Sequence, residues 1–380
     1  MTGVPPRDFA LEVFFSRWEF AARHNLTASD AESLSLGALL AMATPADRRD
    51  YEELHLGYTQ TFGAPALRAA IAATYDSLAA ADVLCFAGAE EALYTAMRVL
   101  LSAEDHAVVI TPNYQSAETV PLGICAVSGV PLDAARGWDL DLGLLRAALR
   151  PNTRLVSINF PHNPTGKIIP EETFAALIEL CRARGIWLFS DEVYRLIERD
   201  PATRLPQAAD RYERAISLNV MSKAYGLPGL RIGWLACRDR AMLGRLERYK
   251  HYLSICNSAP SEILALIALK ARDAILERNR AIVRGNLVLL DRFFGDWQHL
   301  FEWHRPDGGC VGFVRYTGGD GVEEFTRRLV EEAGVLLLPA SVYRSEVGAV
   351  PDQYFRIGFG RLGVPAGLAA MADWLTRSGY

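Results

Sequence analysis

The sequence has few cysteines, no long apolar run and little excess charge, and each of these shortages excludes a class of protein. Its six cysteines are scattered among 380 residues without a CxxC pair, which predicts reduced thiols rather than a disulfide framework. No uninterrupted apolar run reaches the roughly 18 residues of a transmembrane helix. The net charge is −5 and no cluster of Lys and Arg stands out, so we expect no binding to nucleic acid or to an anionic membrane.

The beginning of the sequence also lacks the features of a targeting segment. Residues 1–8 contain two prolines, an arginine and an aspartate, unlike a signal peptide. Half of the residues are hydrophobic and 22% are charged, as is usual for globular enzymes. We therefore expect a cytoplasmic protein of two or three domains, and we predict no metal site.

Short apolar runs alternate with helical patterns over the first two thirds of the chain. Strands are predicted at Val83–Ala87, Ala107–Thr111, Leu155–Phe160, Ile186–Ser190, Ala215–Val220 and Arg231–Ala236. Helices are predicted at 9–24, 64–80, Glu90–Leu101, Leu142–Leu149 and Glu171–Arg184. Continuous apolar strands between helices indicate an α/β domain with a mostly parallel sheet covered by helices on both faces.

The last third of the chain has a different pattern. A long helical region spans about 259–294, and strands and helices richer in glycine follow it. We predict a smaller α+β domain built from the N- and C-terminal segments. The predicted division is 1–45 for the N-terminal segment of the small domain, 46–275 for the large domain and 276–380 for the rest of the small domain.

Polar residues follow several of the predicted strands, where ligands bind in parallel sheets. They lie in four segments: FPHNPTGK at 160–167 with Asn163, SDEVY at 190–194 with Asp191 and Tyr194, MSKAYGLPGLR at 221–231 with Lys223 and Arg231, and YFRIGFG at 354–360 with Arg356.

Taken singly, each of these residues has an ordinary structural explanation. Asn-Pro commonly begins a turn, an aspartate after a strand commonly caps a helix, and a lysine in a loop is usually solvated. Arg356 lies within an apolar strand, where a guanidinium needs an anion or a buried ion pair. In combination, these residues offer what pyridoxal phosphate requires: an amine, a carboxylate for the ring nitrogen, donors for the phenolic oxygen and a phosphate site.

The NPTG, SDEVY, SKxYGLPGLRIG and FRIGF segments resemble those of fold-type I aminotransferases of class I and II, over about residues 55–360. The resemblance implies that Lys223 forms a Schiff base with pyridoxal 5'-phosphate and moves the proton as a general base. It also implies that Asp191 faces the ring nitrogen, and that Asn163 and Tyr194 donate to the phenolic oxygen.

The resemblance also assigns the remaining cofactor contacts. The phosphate is expected at Gly88, Ala89 and Glu90, whose N–H groups open a helix, with the Glu90 side chain turned away. Arg231 would add a bidentate contact and Ser222 a hydroxyl. The chain has Val220 and Met221 where many members have a further Ser or Thr, so the resemblance leaves one phosphate donor unassigned.

Three further residues complete the expected site. Tyr114, in TPNYQS, resembles the aromatic residue that stacks on the cofactor ring, although a core tyrosine is the alternative. Tyr58 resembles the tyrosine that reaches the cofactor of the other subunit, which implies a homodimer. Arg356, together with Asn163, would hold the α-carboxylate of an amino acid substrate.

The N-terminal segment departs from the common family pattern. Residues 25–40 (NLTASDAESLSLGALL) replace the usual glycine-rich loop, and with the preceding residues they resemble the branch that contains capreomycidine synthase, a cyclising enzyme. Its polar residues could contact a cationic or polar substrate side chain, or could form a solvated cap and turn: Ser29, Asp30, Glu32 and Ser33. The LPASVYR segment also has Ala340 where a glycine is commoner.

The expected function is transamination between an α-amino acid and a keto acid. The same cofactor also supports elimination and cyclisation, so a lyase or cyclase is the alternative, and it would need no keto acid. Regulators with an aminotransferase-like domain usually carry a helix-turn-helix module, and we expect none here because the sequence starts almost directly with the enzyme-like part. We therefore expect small-molecule substrates and no DNA binding.

Overall fold

The computed structural model describes residues 7–380. Most of the stretch 1–8, on which the prediction about a signal peptide rests, lies outside the described residues. Within 7–380, none of the helices combines the length and the apolar character needed to cross a bilayer.

The helices, in chain order, are α1 (Ala10–Trp18), α2 (Leu36–Leu40), α3 (Pro45–Glu52), α4 (Pro65–Ala72), α5 (Ala89–Leu100), α6 (Ser116–Leu122), α7 (Leu142–Ala148), α8 (Glu171–Arg184), α9 (Ala208–Arg211), α10 (Arg240–Lys250), α11 (Ala259–Lys270), α12 (Arg272–Asp296), α13 (Val322–Arg328) and α14 (Val364–Ser378). Helix α8 shows why such segments form: two glutamates lie in its first turn and two arginines in its last, which complements the helix dipole.

The strands are β1 (His24–Asn25), β2 (Val83–Phe86), β3 (His106–Thr111), β4 (Ala126–Pro131), β5 (Thr153–Asn159), β6 (Trp187–Asp191), β7 (Ala215–Val220), β8 (Gly233–Ala236), β9 (Phe301–Glu302), β10 (Val311–Tyr316), β11 (Val335–Leu336), β12 (Leu338–Pro339) and β13 (Tyr354–Gly358).

The central sheet has seven strands in the order β2-β8-β7-β6-β5-β3-β4. The strands from β7 to β4 are parallel, and β8 runs antiparallel to both of its neighbours. Leu155 on β5 packs into one buried cluster and the next residue, Val156, into another. Because side chains alternate between the faces of a strand, both faces of this sheet are buried, which confirms the predicted α/β architecture.

A second, smaller sheet follows helix α12. It is antiparallel and has the strand order β12-β13-β10-β9. The short strand β1 pairs in parallel with β11, at His24–Val335 and Asn25–Leu336. The N-terminal segment is thereby joined to the C-terminal one, as predicted for a small domain built from both. The division at residues 45/46 and 275/276 stays a prediction.

The structure differs from the prediction in several elements. The helix predicted at 9–24 ends at Trp18, and the one predicted at 64–80 ends at Ala72. The long helical region at 259–294 is two helices that meet at Ala271. Strand β4 was not predicted because it lies at the sheet edge, where only Val130 is fully buried and the apolar pattern is weak.

Candidate active site

Asn163, Asp191 and Lys223 lie at the carboxyl ends of three neighbouring parallel strands, β5, β6 and β7. Asp191 ends β6, opposite Asn159 on β5, and Lys223 follows β7. The Nδ2 of Asn159 donates to the carbonyl of Asp191 at 2.9 Å, and its Oδ1 accepts from the N–H of Asn163 at 2.8 Å. Asn159 thus holds the Asn163 turn against the end of the next strand.

The amine of Lys223 has one hydrogen-bond partner in the described chain, the hydroxyl of Ser29. Its Nζ donates to the hydroxyl of Ser29 at 2.8 Å and lies 6.0 Å from the ring centre of Tyr194. Burial lowers the pKa of Lys223, while the carboxylates of Asp30 and Asp191 act against this shift. No carboxylate in the described chain forms an ion pair with it. A neutral amine is therefore more accessible here than on a solvated lysine.

The carboxyl group of Asp191 is poorly solvated. Burial raises its pKa to about 6, although the charge of Lys223 and the N–H of Val193, which donates to Oδ1 at 3.1 Å, act against the rise. A cationic group placed against this carboxylate would lower its pKa again. The Asp191 carboxylate would therefore be stabilised by a further positive charge beside it.

Arg356 is fully buried and has no counterion among residues 7–380. Its Nη1 donates to the hydroxyl of Tyr343 at 2.7 Å and to Oδ1 of Asn163 at 3.2 Å, and its Nη2 donates to the carbonyl of Thr27 at 2.7 Å. Its Nε has no partner in the described chain. The alternative explanation for this arginine, a buried ion pair, is therefore wrong, and the guanidinium is ready to receive an anion.

A second candidate anion site lies where helix α5 begins. Gly88 precedes the helix with a φ of +98°, and a Cβ at this position would overlap the guanidinium of Arg231. Arg231 itself has a φ of +51° and donates from Nη1 to the carbonyl of Pro228 at 3.2 Å. A helix N-terminus beside an arginine favours a phosphate on both electrostatic and hydrogen-bonding grounds.

The residues around this helix take different positions. Glu90 turns to Ser116, whose hydroxyl donates to its Oε2 at 2.9 Å, and burial raises the pKa of Glu90 to about 7. Tyr114 packs edge-on against Phe9, with ring centres 5.2 Å apart. Ser222 is buried next to Lys223.

Tyr194 and Tyr58 differ in their surroundings. Tyr194 is 1% exposed and donates from its hydroxyl to the carbonyl of Ser29 at 2.9 Å. Tyr58 is 91% exposed and does not join the site of its own chain.

The polar residues of the N-terminal segment are mostly occupied by the protein itself. Asp30 forms a bidentate ion pair with Arg361, at 3.0 and 2.8 Å, and Glu32 accepts from the N–H of Leu362 at 2.7 Å. Ser33 is exposed, and within residues 7–380 its one hydrogen bond is from Arg278 to its carbonyl. For Asp30 and Glu32 the structure therefore shows internal contacts, which agree with the alternative of a structural cap and turn.

Three contacts in this site could not be predicted from the sequence. Tyr343 bridges Arg356 and Asn163, Thr27 supplies a carbonyl to Arg356, and Ser29 contacts Lys223 rather than a substrate. The only available signal was a tyrosine in the LPASVYR segment, and a single tyrosine in a loop carries no positional information.

The fold and the paired anion sites around a lysine define the class of pyridoxal-phosphate enzymes of fold type I. The family described as aminotransferase class I and II matches residues 36–370. The chain belongs to this family, its cofactor is pyridoxal phosphate, and the predicted assignment as a transaminase of the family is confirmed.

Three relatives illustrate the range of similarity. Capreomycidine synthase from Streptomyces vinaceus is 30% identical over 375 residues, which cover 96% of this chain and 93% of that protein. Arginine–pyruvate transaminase from Pseudomonas aeruginosa is 34% identical over 304 residues, covering 75% of this chain and 74% of that protein. The crystal structure of a PLP-dependent aminotransferase from Streptococcus suis superposes with a TM-score of 0.92 at 29% identity, covering 98% and 99% of the two chains.

The residues present fit this cofactor. The guanidinium of Arg231 approaches Gly88 so closely that a Cβ would overlap it, so the glycine lets this cation reach the beginning of α5. Asp191 has no cationic hydrogen-bond partner in the described chain, and Lys223 has no carboxylate partner. The donor set therefore has a place for a phosphate, a ring nitrogen and an aldehyde carbon.

Proposed function

We propose that the protein transfers an amino group between an α-amino acid and a keto acid, with Lys223 as the residue that holds the cofactor and moves the proton. The observation that supports this most is the buried Arg356, which has no counterion in the described chain. It donates to Asn163, which lies at the strand ends that also carry Asp191 and Lys223. A fully buried guanidinium without an anion is unstable unless a ligand supplies one.

Arg356 would bind the substrate α-carboxylate through its planar fork, while Tyr343 and Asn163 fix the orientation of the guanidinium. This contact selects amino acids over simple amines. It also holds the Cα–H bond towards Lys223, whose neutral amine accepts the proton. Pyridoxal phosphate, when bound, supplies the electron sink for the carbanion left on Cα.

The remaining residues would keep the cofactor in place. Asp191 would hold a proton on the ring nitrogen through its negative charge, and Asn163 would donate to the phenolic oxygen. Tyr194 would donate there as well once the cofactor replaces the Ser29 carbonyl as the acceptor of its single O–H proton. Arg231 would bind the phosphate together with the N–H groups at the beginning of α5, where the main chain of Gly88, Ala89 and Glu90 lies, and Ser222 would add its hydroxyl. Tyr114 would lie against the ring.

We also propose a homodimer in which Tyr58 reaches the site of the other subunit. Two segments expose large apolar side chains: Leu56 and Tyr58 in one, and Tyr252, Leu253 and Ile255 in the other, with exposed fractions between 39% and 91%. The two segments are linked by Thr59, whose hydroxyl donates to the carbonyl of Asn257 at 3.0 Å. A second copy of the chain would cover these side chains. A cytoplasmic location stays a prediction from the sequence.

A cyclase or lyase is the second candidate. The similarity to capreomycidine synthase covers 96% of the chain, whereas the arginine–pyruvate transaminase matches 75%. The atypical segment at 25–40 is part of the site through Ser29, so its similarity to a cyclising enzyme bears on the reaction as well as on the fold.

A screen of amino acids with and without a keto acid separates the two candidates. A transaminase needs the acceptor for continued turnover, and a cyclase or lyase turns over without it. We expect purified protein to absorb visible light, borohydride to fix the cofactor on Lys223, and Lys223→Ala to abolish turnover while retaining some cofactor. Full activity of Lys223→Ala would refute the assignment, and so would a borohydride adduct on another residue.

A further inference from the structure

The N-terminal segment at 26–32 is inserted between the small-domain sheet and the lysine loop. The N–H of Gly358 donates to the carbonyl of Leu26 at 2.7 Å, and the N–H of Glu32 donates to the carbonyl of Gly360 at 2.8 Å. A Cβ on either glycine would overlap the main chain of this segment. Two glycines of the FRIGFG motif therefore make room for the segment, which is fixed in place on this side.

Within this segment, Ser29 contacts two of the residues proposed to act on the cofactor. Its hydroxyl accepts from Nζ of Lys223 at 2.8 Å, and its carbonyl accepts from the hydroxyl of Tyr194 at 2.9 Å. The main chain of the same loop is held as well, because the N–H of Ala31 donates to the carbonyl of Lys223 at 3.3 Å. In the described chain, the Ser29 hydroxyl has no other partner.

We propose that Ser29 is a positioning residue for proton transfer, which orients the amine of Lys223 through its hydroxyl. The inference rests on the proposed function, because it takes Lys223 as the group that accepts the proton. It goes further in assigning a reaction role to the atypical N-terminal segment.

The chemistry of a hydroxyl suits this role in both protonation states of the amine. When the Cα–H bond breaks, its electron pair stays on carbon and the proton forms a new N–H bond on Lys223. The resulting ammonium can donate to the Ser29 oxygen, and the neutral amine can accept from the Ser29 O–H. The charged and titratable groups that also act on this amine are Asp30, Asp191, Arg356 and Cys310. None of these four groups forms a hydrogen bond with the Lys223 amine, so the Ser29 hydroxyl is the group that fixes the orientation of the amine.

The test uses Ser29→Ala, with Ser29→Thr as the variant that keeps the hydroxyl and Ser33→Ala as the matched control. Ser33 lies in the same segment, is exposed and has no side-chain hydrogen bond in the described chain. Ser29→Cys keeps the side-chain size and bonds weakly, so it replaces the alanine variant if that one does not fold.

Two measurements separate positioning from a structural role. In the holoenzyme, we expect Ser29→Ala to lower kcat about 10- to 100-fold and to raise the isotope effect with Cα-deuterated substrate, because proton transfer becomes slower. In the apoprotein, the pKa of Lys223 can be obtained from the pH dependence of its acetylation, measured by mass spectrometry. We expect this pKa to fall, because the hydrogen bond to the charged ammonium is stronger than the one to the neutral amine and its loss disfavours the charged form.

Rescue by Ser29→Thr and wild-type behaviour of Ser33→Ala would support the proposal. It is overturned if Ser29→Ala retains both the wild-type isotope effect and the wild-type pKa of Lys223, including the case in which only cofactor affinity falls. Failure of the proposed function has a different result, since Lys223→Ala would then turn over substrate. Failure of this inference alone leaves Lys223→Ala inactive, while Ser29→Ala keeps the wild-type isotope effect and the wild-type pKa of Lys223.

Discussion

Removal of the Tyr343 hydroxyl, which contacts Arg356, gives the sharpest test of the proposed contact between Arg356 and a substrate carboxylate. The hydroxyl of Tyr343 accepts from Nη1 of Arg356 at 2.7 Å and donates to Asn163 at 3.3 Å. Burial raises the pKa of Tyr343 to about 12, so the phenol stays protonated in any practical assay. The Tyr343 ring lies 5.9 Å from the guanidinium and packs edge-on against Phe313. Tyr343→Phe keeps these ring contacts and removes only the hydrogen bonds.

The size of the effect follows from the kind of bond that is lost. A hydrogen bond to a charged group contributes about 1.5–3 kcal/mol, and about 1.4 kcal/mol corresponds to a tenfold change. We therefore expect kcat/KM for an amino acid to fall roughly 10- to 100-fold in Tyr343→Phe, mainly through KM, because Arg356 is no longer held for the carboxylate.

Steady-state kinetics with an amino acid and with the corresponding amine, which lacks the carboxylate, measures this effect. Only the amino acid should be affected. Tyr354→Phe is the matched control. Tyr354 lies on the same strand as Arg356 and stacks on Phe313, and its hydroxyl has no hydrogen bond in the described chain. A kcat/KM within twofold of wild type, or an equal loss in the control, would refute the reasoning.

Three further predictions concern the other parts of the site. Arg356→Ala should raise KM for amino acids far more than for amines, and equal kinetics with and without the guanidinium would remove it from the substrate site. Burial raises the pKa of Asp191 to about 6, above its value in the unfolded chain, so its stabilising contribution to the apoprotein is present below about pH 4 and is lost as the pH rises through about 6. Without cofactor, Asp191→Asn should therefore have a free energy of unfolding higher than that of the wild type at pH 8, by at most about 3 kcal/mol. This difference should shrink towards pH 4. Thermal melts of the two apoproteins that show no such trend would contradict this. Gly88→Ala should weaken cofactor binding at least about tenfold, because the φ of +98° strains an alanine and its Cβ overlaps Arg231; a fluorescence titration with unchanged affinity would argue against the phosphate site.

The strongly apolar strands could be predicted because their signal is local. Strands β3, β5, β6 and β7 are continuous buried runs next to turn residues, and their order along the chain places Asn163, Asp191 and Lys223 at neighbouring strand ends. Strand β4 gave no such signal, since an edge strand is only half buried. The ends of helices α1 and α4 were also missed, because tertiary packing decides where an amphipathic pattern stops.

The sequence by itself determined the sheet, the motif residues at its edge and, through the family resemblance, the cofactor. Only the tertiary structure decided the contacts between distant segments. Asp30 and Ser29 are adjacent in a polar stretch, yet one pairs with Arg361 and the other bonds Lys223. Their partners lie 331 and 194 residues away along the chain. No local pattern encodes which of two neighbouring polar side chains faces an ion pair and which faces an amine, because that choice depends on how the small domain packs against the lysine loop.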